Sequence, residues 1–304
     1  MKKVLVIGGS YFAGRVFNIL SSREGGFDIH VVNRGTRPLK PLDNVKTYIS
    51  DRHDRVKMAQ LFEGQSFDAV IDFCAYATGD IKGIFSALGN RVSQYIFIST
   101  SSVYDPLLSG LKKEADPVLY ERPDGTVDKY IEDKALLELE CMEQCSSHGA
   151  SYTILRPAFI YGPFNYAPRE SYYIKKIVQG ESVPNVTDSF SRFSFLYVSD
   201  LAHILQKCVC NEASRNEVFN AAGPEEITYA SYMEVLRKVS DIPFVTADYT
   251  VKEVLDKNIP LPFPLDNNDL VDGRKLKDSL GFDYTPFDSG MKKTFEIFKS
   301  VFST

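Results

Sequence analysis

Lys3-Val4-Leu5-Val6-Ile7-Gly8-Gly9-Ser10-Tyr11-Phe12-Ala13-Gly14 decides the fold. Val4 to Ile7 form an unbroken apolar run, the pattern of a strand buried on both faces. The run breaks into glycines, and a helical spacing of apolar residues then continues through Val16 and Leu20 to Gly25-Gly26. Strand, tight turn and helix N-terminus, in that order, form the corner at which a parallel α/β sheet receives a phosphate. Glycines let the backbone approach the anion, and the free N–H groups of the helix point at it. One position departs from the pattern. A G-x-x-G-x-x-G spacing asks for glycine at Gly8, residue 11 and Gly14, and residue 11 is Tyr11. Such corners also occur where nothing binds, so the residues downstream decide.

The first half keeps one rhythm. Strands are expected over 28–32, 45–49, 69–72 and 94–99, with helices near 55–62 and 81–88 between them. Strands separated by helices imply right-handed βαβ units and a doubly wound parallel sheet. Residues 104–126, with prolines, charges and Asp124-Gly125, break the rhythm as a loop long enough to be functional. A helix is expected from about 127 to 145, with Tyr130, Lys134, Leu137 and Cys141 along one face. A strand over 152–156 stops at Pro157, and an apolar strand over 193–198, a helix from Asp200 and a strand over 217–220 follow. Helices are expected near 172–178, over 227–239 and over 251–255. The nucleotide-binding domain is therefore 1–161 with a return to the sheet at about 192–222. The remainder, about 162–191 and 223–304, makes a smaller C-terminal substrate lobe.

An apolar fraction of 44% with 25% charged residues describes a soluble globular chain. A net charge of −5 gives no long-range attraction for nucleic acid or an anionic membrane. Cys74, Cys141, Cys145, Cys208 and Cys210 show no C-x-x-C spacing and are expected as buried free thiols in a reducing cytoplasm. His30, His53, His148 and His203 form no i, i+4 pair, so no metal site is expected. The N-terminal apolar run is too short for a secretory leader, and no apolar segment approaches the roughly 20 residues that span a bilayer.

Two further places carry chemistry. The second strand ends in Asn33-Arg34, with Arg37 and Lys40 behind, where a sheet that binds NAD usually presents a carboxylate. A guanidinium there suits a 2′-phosphate and favours NADP over NAD. Asp51, after the third strand, is placed to accept from an adenine amino group or to cap the next helix. Ser99-Thr100-Ser101-Ser102 then closes a buried strand with hydroxyls at its carboxyl end, outside which ligands sit in open α/β sheets. Tyr130 and Lys134 follow one helical turn apart. A lysine ammonium beside a phenol lowers a pKa whose reference value is about 10. The tyrosine then exchanges a proton with a substrate hydroxyl while hydride moves to or from nicotinamide, and a Ser/Thr hydroxyl holds the same oxygen.

Together these stretches resemble the extended short-chain dehydrogenase/reductases of the NAD-dependent epimerase/dehydratase family. The resemblance rests on the first turn, Ile71-Asp72-Phe73-Cys74-Ala75, Ile98 to Tyr104, and Tyr130…Lys134 with Glu138. It continues through Arg156-Pro157…Tyr161-Gly162-Pro163, Val198-Ser199-Asp200-Leu201-Ala202, Phe219 to Gly223 and Lys275-Leu276…Leu280-Gly281-Phe282. It implies a Rossmann sheet and an enzyme that acts by hydride transfer on a sugar or sugar nucleotide. Thr100 is then the catalytic hydroxyl, Tyr130 the acid/base and Lys134 its partner. Gly8, Gly9, Ser10, Phe12 and Gly14 line the diphosphate, and Ala75 and Pro157 flank the nicotinamide. A homodimer is common in the family.

Three departures stand out: Tyr11, the acid-free Asn33-Arg34, and Phe193. Nucleotide-sugar enzymes of the family commonly carry an arginine at the position of Phe193, and here Arg192 lies one residue earlier, on the opposite face of the strand. All three resemble the atypical branch that includes the chloroplast stem-loop-binding proteins. The alternative implied is a cofactor-bound regulatory or RNA-binding protein without turnover, against which the acidic balance argues. The ring of Tyr11 is expected to turn away from the diphosphate or to cover it.

Overall fold

The computed structural model describes residues 1–108, 110–120 and 128–303. The expected start of the fourth helix at Val127, and the Asp124-Gly125 turn, lie outside the described residues. In chain order the elements are β1 (Lys2–Ile7), α1 (Phe12–Glu24), β2 (Phe27–Asn33), β3 (Val45–Ile49), α2 (Arg55–Leu61), β4 (Ala69–Asp72), α3 (Asp80–Leu88) and β5 (Gln94–Ile98). Then come α4 (Lys129–His148), β6 (Ser151–Pro157), β7 (Phe159–Tyr161), α5 (Glu170–Val178), β8 (Val183–Val186), β9 (Phe195–Tyr197) and α6 (Val198–Cys208). The chain ends with β10 (Glu217–Ala221), α7 (Tyr229–Val239), β11 (Thr246–Tyr249), α8 (Val251–Asp256), α9 (Arg274–Leu280) and α10 (Phe287–Phe302).

Seven strands pair in parallel in the order β10-β6-β5-β4-β1-β2-β3. This is the doubly wound α/β sheet that the sequence rhythm implies. Along β1, Val4 and Val6 face one core, while Leu5 and Ile7 face the other. A strand buried on both faces cannot alternate apolar with polar, which is why the run reads as continuous. Phe12, Val16 and Phe17 of α1 pack on the first face with Leu201 and Leu205 of α6. Met58, Ile84, Phe85, Leu137 and Cys141 from α2, α3 and α4 cover the second. Strand order reverses between β1 and β4, and there the connections leave in opposite directions and open a crevice outside the carboxyl ends.

The expected return over 193–198 needs correction. β9 leaves the main sheet and pairs with β7 in a separate two-stranded sheet, and only β10 rejoins β6. Pro157 ends the β6 ladder because it has no N–H to donate, so the chain diverges and β9 follows it. Alternation shows that a strand is buried but does not name its partner. β8, β11, α9 and α10 have no counterpart in the sequence expectation. β8 and β11 form a second small parallel sheet. The first core runs without a break from Val4 through Phe193, Phe195, Phe263 and Phe298, so the smaller lobe shares its interior with the sheet. All five cysteines are free; Cys141, Cys145 and Cys208 are buried, Cys74 is half-buried, and Cys210, expected buried, is exposed. No helix among the described residues is long and apolar enough to cross a membrane.

Candidate active site

A cleft of about 690 Å³ lies outside the carboxyl ends of β1, β2, β4, β5 and β6. Such a volume is typical of small-molecule and cofactor sites. Gly8, Ser10, Tyr11, Phe12 and Gly14 line it, whereas Gly9 lies beneath, and its carbonyl accepts from Asn18 Nδ2 at 2.6 Å. A side chain has no room at the turn. A Cβ on Gly14 would meet Gly9 Cα at 2.7 Å, and one on Gly8, whose φ is +84°, would meet Cys74 Sγ at 2.7 Å. No side chain caps α1, and no acid sits in its first turn, so its N–H groups remain available to an anion. Tyr11 has extended backbone, φ −135° and ψ 148°, which any residue adopts. Its ring stacks on Tyr166 with centroids 4.9 Å apart, and the Arg37 guanidinium lies 3.9 Å from its other face.

At the end of β2 the Oδ1 of Asn33 accepts from Gly35 N at 2.7 Å, while its buried Nδ2 has no partner. Arg34 is exposed on the cleft rim, makes no ion pair among the described residues and helps to hold the Asp51 carboxyl below its usual range. The larger influence on Asp51 is a hydrogen bond from the backbone N–H of His53, at 2.9 Å, so this aspartate is engaged locally as a turn cap. Beneath it Arg52 is buried and bonds Asp72 bidentately at 2.9 and 2.8 Å, tying the loop after β3 to the end of β4. Ala75 is placed in the second core, and Cys74 and Tyr76 on either side of it face the cleft instead. Burial pushes the Cys74 thiol up to about 12, which leaves it unreactive near neutral pH.

Thr100, Ser101 and Ser102 reach the cleft just past β5. Thr100 Oγ1 caps the short 3₁₀ turn that follows: it accepts from Ser102 N at 3.2 Å and donates to Ser102 Oγ at 3.3 Å. Opposite, Asp128 caps α4 by accepting from Tyr130 N. Lys134 is 1% exposed, and its Nζ donates to Ile98 O at 2.7 Å. Its ammonium is boxed by the rings of Phe97, Tyr76 and Tyr130 at 4.8, 4.9 and 5.8 Å. One turn further, Glu138 accepts from Ser99 Oγ at 2.6 Å and from Arg156 at 2.9 and 2.6 Å. The face of α4 is thus fastened to β5 and β6 at successive turns.

The electrostatics correct one expectation. The Tyr130 phenol is pushed up to about 12, by desolvation and then by the neighbouring Tyr166, and Arg169 is the cation that opposes the rise. Burial brings Lys134 down to about 8, with Asp72 and the Cys74 thiol opposing. Helical spacing puts Tyr130 and Lys134 on one face, but the ammonium donates to the Ile98 carbonyl. The Tyr130 hydroxyl makes no hydrogen bond among the described residues.

The other wall comes from Pro157 to Ile160, Asn165 to Ala167, Arg169 and Asp269. Of these, the sequence singled out only Pro157. Asn165 bonds the buried Glu170 carboxylate through Nδ2 at 3.0 Å, which shapes the turn ahead of α5. Arg169 carries a signal that sequence alone offers: it opens a helix, where the macrodipole disfavours a cation. Phe193 is buried against Phe263, and Arg192 points outward to Glu226 at 2.7 Å, the opposite-face arrangement expected for adjacent strand residues.

The NAD dependent epimerase/dehydratase family matches residues 84–222, a span that contains Thr100, Tyr130, Lys134 and Arg169 but not the glycine turn. A chloroplast stem-loop binding protein of 41 kDa from Arabidopsis thaliana is 26% identical over 255 residues, covering 80% of this chain and 64% of its own length. This chain therefore spans just under two thirds of that relative. A UDP-glucose 4-epimerase from Thermotoga maritima, solved with UDP-glucose, superposes with a TM-score of 0.80 at 20% identity, over 98% of this chain and 99% of its own. A dTDP-glucose 4,6-dehydratase from Bacillus anthracis, solved with NAD, gives 0.79 at 16% identity, over 99% and 97%. Residues 84–222 thus match the NAD dependent epimerase/dehydratase family, within a chain whose whole fold is that of these two solved structures.

Proposed function

We propose that this chain is an NAD(P)-dependent epimerase, dehydratase or reductase acting by hydride transfer on a hydroxyl or carbonyl of a sugar or nucleotide-sugar-like substrate. One observation carries the reading: Thr100, Tyr130 and Lys134 line the same cleft as the uncapped, glycine-rich turn after β1. The residues fit a dinucleotide. Gly8, Ser10, Tyr11, Phe12 and Gly14 would hold the diphosphate, supported from beneath by Gly9. The unpartnered Asn33 Nδ2, with Arg34 and Asp51, would meet the adenosine side, and Pro157 the nicotinamide side, above Ala75. When bound, NAD or NADP supplies a reversible hydride acceptor. Arg34 favours the 2′-phosphate of NADP; the dehydratase of similar fold was solved with NAD.

Tyr130 holds the proton that the substrate oxygen gives up or takes. Closure of the cleft around a substrate strengthens the pull of Lys134 and Arg169 on the phenol, because charges interact more strongly where water is excluded. Thr100 is positioned to orient the same substrate oxygen once its bond to Ser102 gives way. Tyr130→Phe removes the proton carrier and preserves the ring, so turnover should be lost while NAD or NADP titrates nearly as in the wild type. Equal activity in that variant would sink the mechanism.

A second reading follows from the 26% identity to the chloroplast stem-loop binding protein. Binding to a structured RNA that weakens steeply as salt rises would support it. The net charge of −5 weighs against it.

A further inference from the structure

Among the described residues, the two buried arginines are paired. Arg52 is matched by Asp72, and Arg156 by Glu138. Arg169 differs. Its guanidinium lies 4.9 Å from the centroid of the Phe159 ring, and its one hydrogen bond is a 3.5 Å contact from Nη1 to Ile160 O. A guanidinium carries five N–H donors in a rigid fork, and this contact uses one.

The carboxylates that might pair with it are engaged elsewhere. Glu170, next in sequence, accepts from Gly162 N and from Asn165 Nδ2 at 2.8 and 3.0 Å. Asp269, on the same wall, bonds Lys112 Nζ at 3.1 Å. Lys134, the lysine of the cleft lining among the described residues, is enclosed by three rings and bonded to Ile98 O. Arg34 and Arg37 come from the loop after β2, and Arg52, already paired with Asp72, from the loop after β3. The helix macrodipole and partial burial both disfavour a cation at this place. Desolvation accordingly lowers the pKa of Arg169 from its usual value. A half-buried fork without a carboxylate, aimed at the reacting end of a cleft, is an anion receptor.

We propose that Arg169 anchors an anionic group of the substrate, phosphate or carboxylate, beside Tyr130, with Asp269 on the same wall as the acceptor for a substrate hydroxyl. This deepens the reading of the cleft as a sugar-type site and rests on it. It gives the substrate class: a polyhydroxylated molecule whose negative charge lies close to the carbon that reacts.

The test is isothermal titration of the full-length protein, saturated with NAD, by four probes: UDP, glucose 6-phosphate, glucuronate and uncharged methyl glucoside. At least one anionic probe should bind and methyl glucoside should not; UDP or glucose 6-phosphate against glucuronate tells phosphate from carboxylate. Arg169→Ala should weaken the anionic probe ten- to hundredfold, as loss of a charge-assisted bidentate contact does. Arg169→Lys should recover part of that loss, with the affinity for NAD and the melting curve unchanged in both. Unaltered probe affinity in Arg169→Ala, failure of all three anions to bind the wild type, or an equal loss of NAD affinity would each overturn the assignment. Tyr130→Phe, titrated alongside, should bind the probes as the wild type does, so a failed anchor and a failed catalytic reading give different results.

Discussion

The fastening of α4 to the sheet has a measurable cost when one partner is removed. Glu138 is 0% exposed and Arg156 4%, and the carboxylate accepts from Arg156 Nε and Nη2 and from Ser99 Oγ. In Glu138→Ala the guanidinium keeps the Tyr104 hydroxyl at 2.9 Å and the Glu114 carbonyl at 3.3 Å but has no anion left. An uncompensated buried charge costs about 3–5 kcal/mol, and a well-packed apolar pair in its place is often neutral. Glu138→Ala should therefore lose about that much in urea unfolding followed by circular dichroism, with an unchanged m-value. Glu138→Gln should fall between it and the wild type. The double variant Glu138→Leu with Arg156→Met should recover most of the loss, because both charges leave together. Lys134 sits one turn away on the same face, so the loosened helix should also move the Tyr130 phenol and lower activity before the protein unfolds. A loss below about 1 kcal/mol in Glu138→Ala, or a double variant no better than the single, would refute the claim that this pair holds the catalytic face in register.

Three further outcomes follow from the geometry. Gly14→Ala puts a Cβ 2.7 Å from Gly9 Cα, where backbone must yield; it should cost about 1–3 kcal/mol of stability and weaken NAD in a fluorescence titration, and an unchanged affinity would remove the turn from the cofactor site. Arg34→Ala should weaken NADP about tenfold and leave NAD nearly unchanged, the loss expected for one hydrogen bond to a charged group; equal losses for both would show that Arg34 does not read the 2′-phosphate. Lys134 titrates near 8 in the folded protein against 10.5 for the free side chain, so between those values the unfolded chain binds more protons and stability rises with pH. The burial penalty is full below about pH 8 and is relieved above it. The stability of Lys134→Met relative to the wild type should therefore fall by about 2–3 kcal/mol from pH 7 to pH 10, and a difference independent of pH would show that the ammonium is not desolvated.

The parts of the site written in the sequence are those whose physics is local. Val4 to Ile7 followed by glycines specify a two-face-buried strand and a turn without Cβ atoms, and both features are in place. Helical spacing puts Tyr130, Lys134 and Glu138 on one face of α4; the stripe Phe287, Met291, Phe295 and Phe298 of α10 has the same spacing, although the sequence expectation has no helix there. What spacing does not specify is what surrounds a side chain. The upward shift of the Tyr130 phenol comes first from desolvation by its surroundings and then from Tyr166, thirty or more residues away, with Arg169 opposing. Pairing of β9 with β7 depends on where Pro157 stops a ladder, which no property of 193–198 records.

Tyr11 joins the local and the distant parts. A glycine at that place would serve backbone approach, but the extended conformation there needs none, so a side chain is admitted. Its ring meets Arg37, from the loop after β2, and Tyr166, from the segment ahead of α5. Phe12 meets the same Tyr166 edge-on, with centroids 6.0 Å apart, and Arg15 lies 5.3 Å from the centroid of Phe164. The departure from the glycine pattern therefore connects the phosphate-type turn to the segment that carries Asn165 and Arg169. A ligand that orders the turn bears directly on the wall that holds Arg169. On the proposed reading, the bulky residue would couple the cofactor end of the cleft to the wall where the substrate would be gripped.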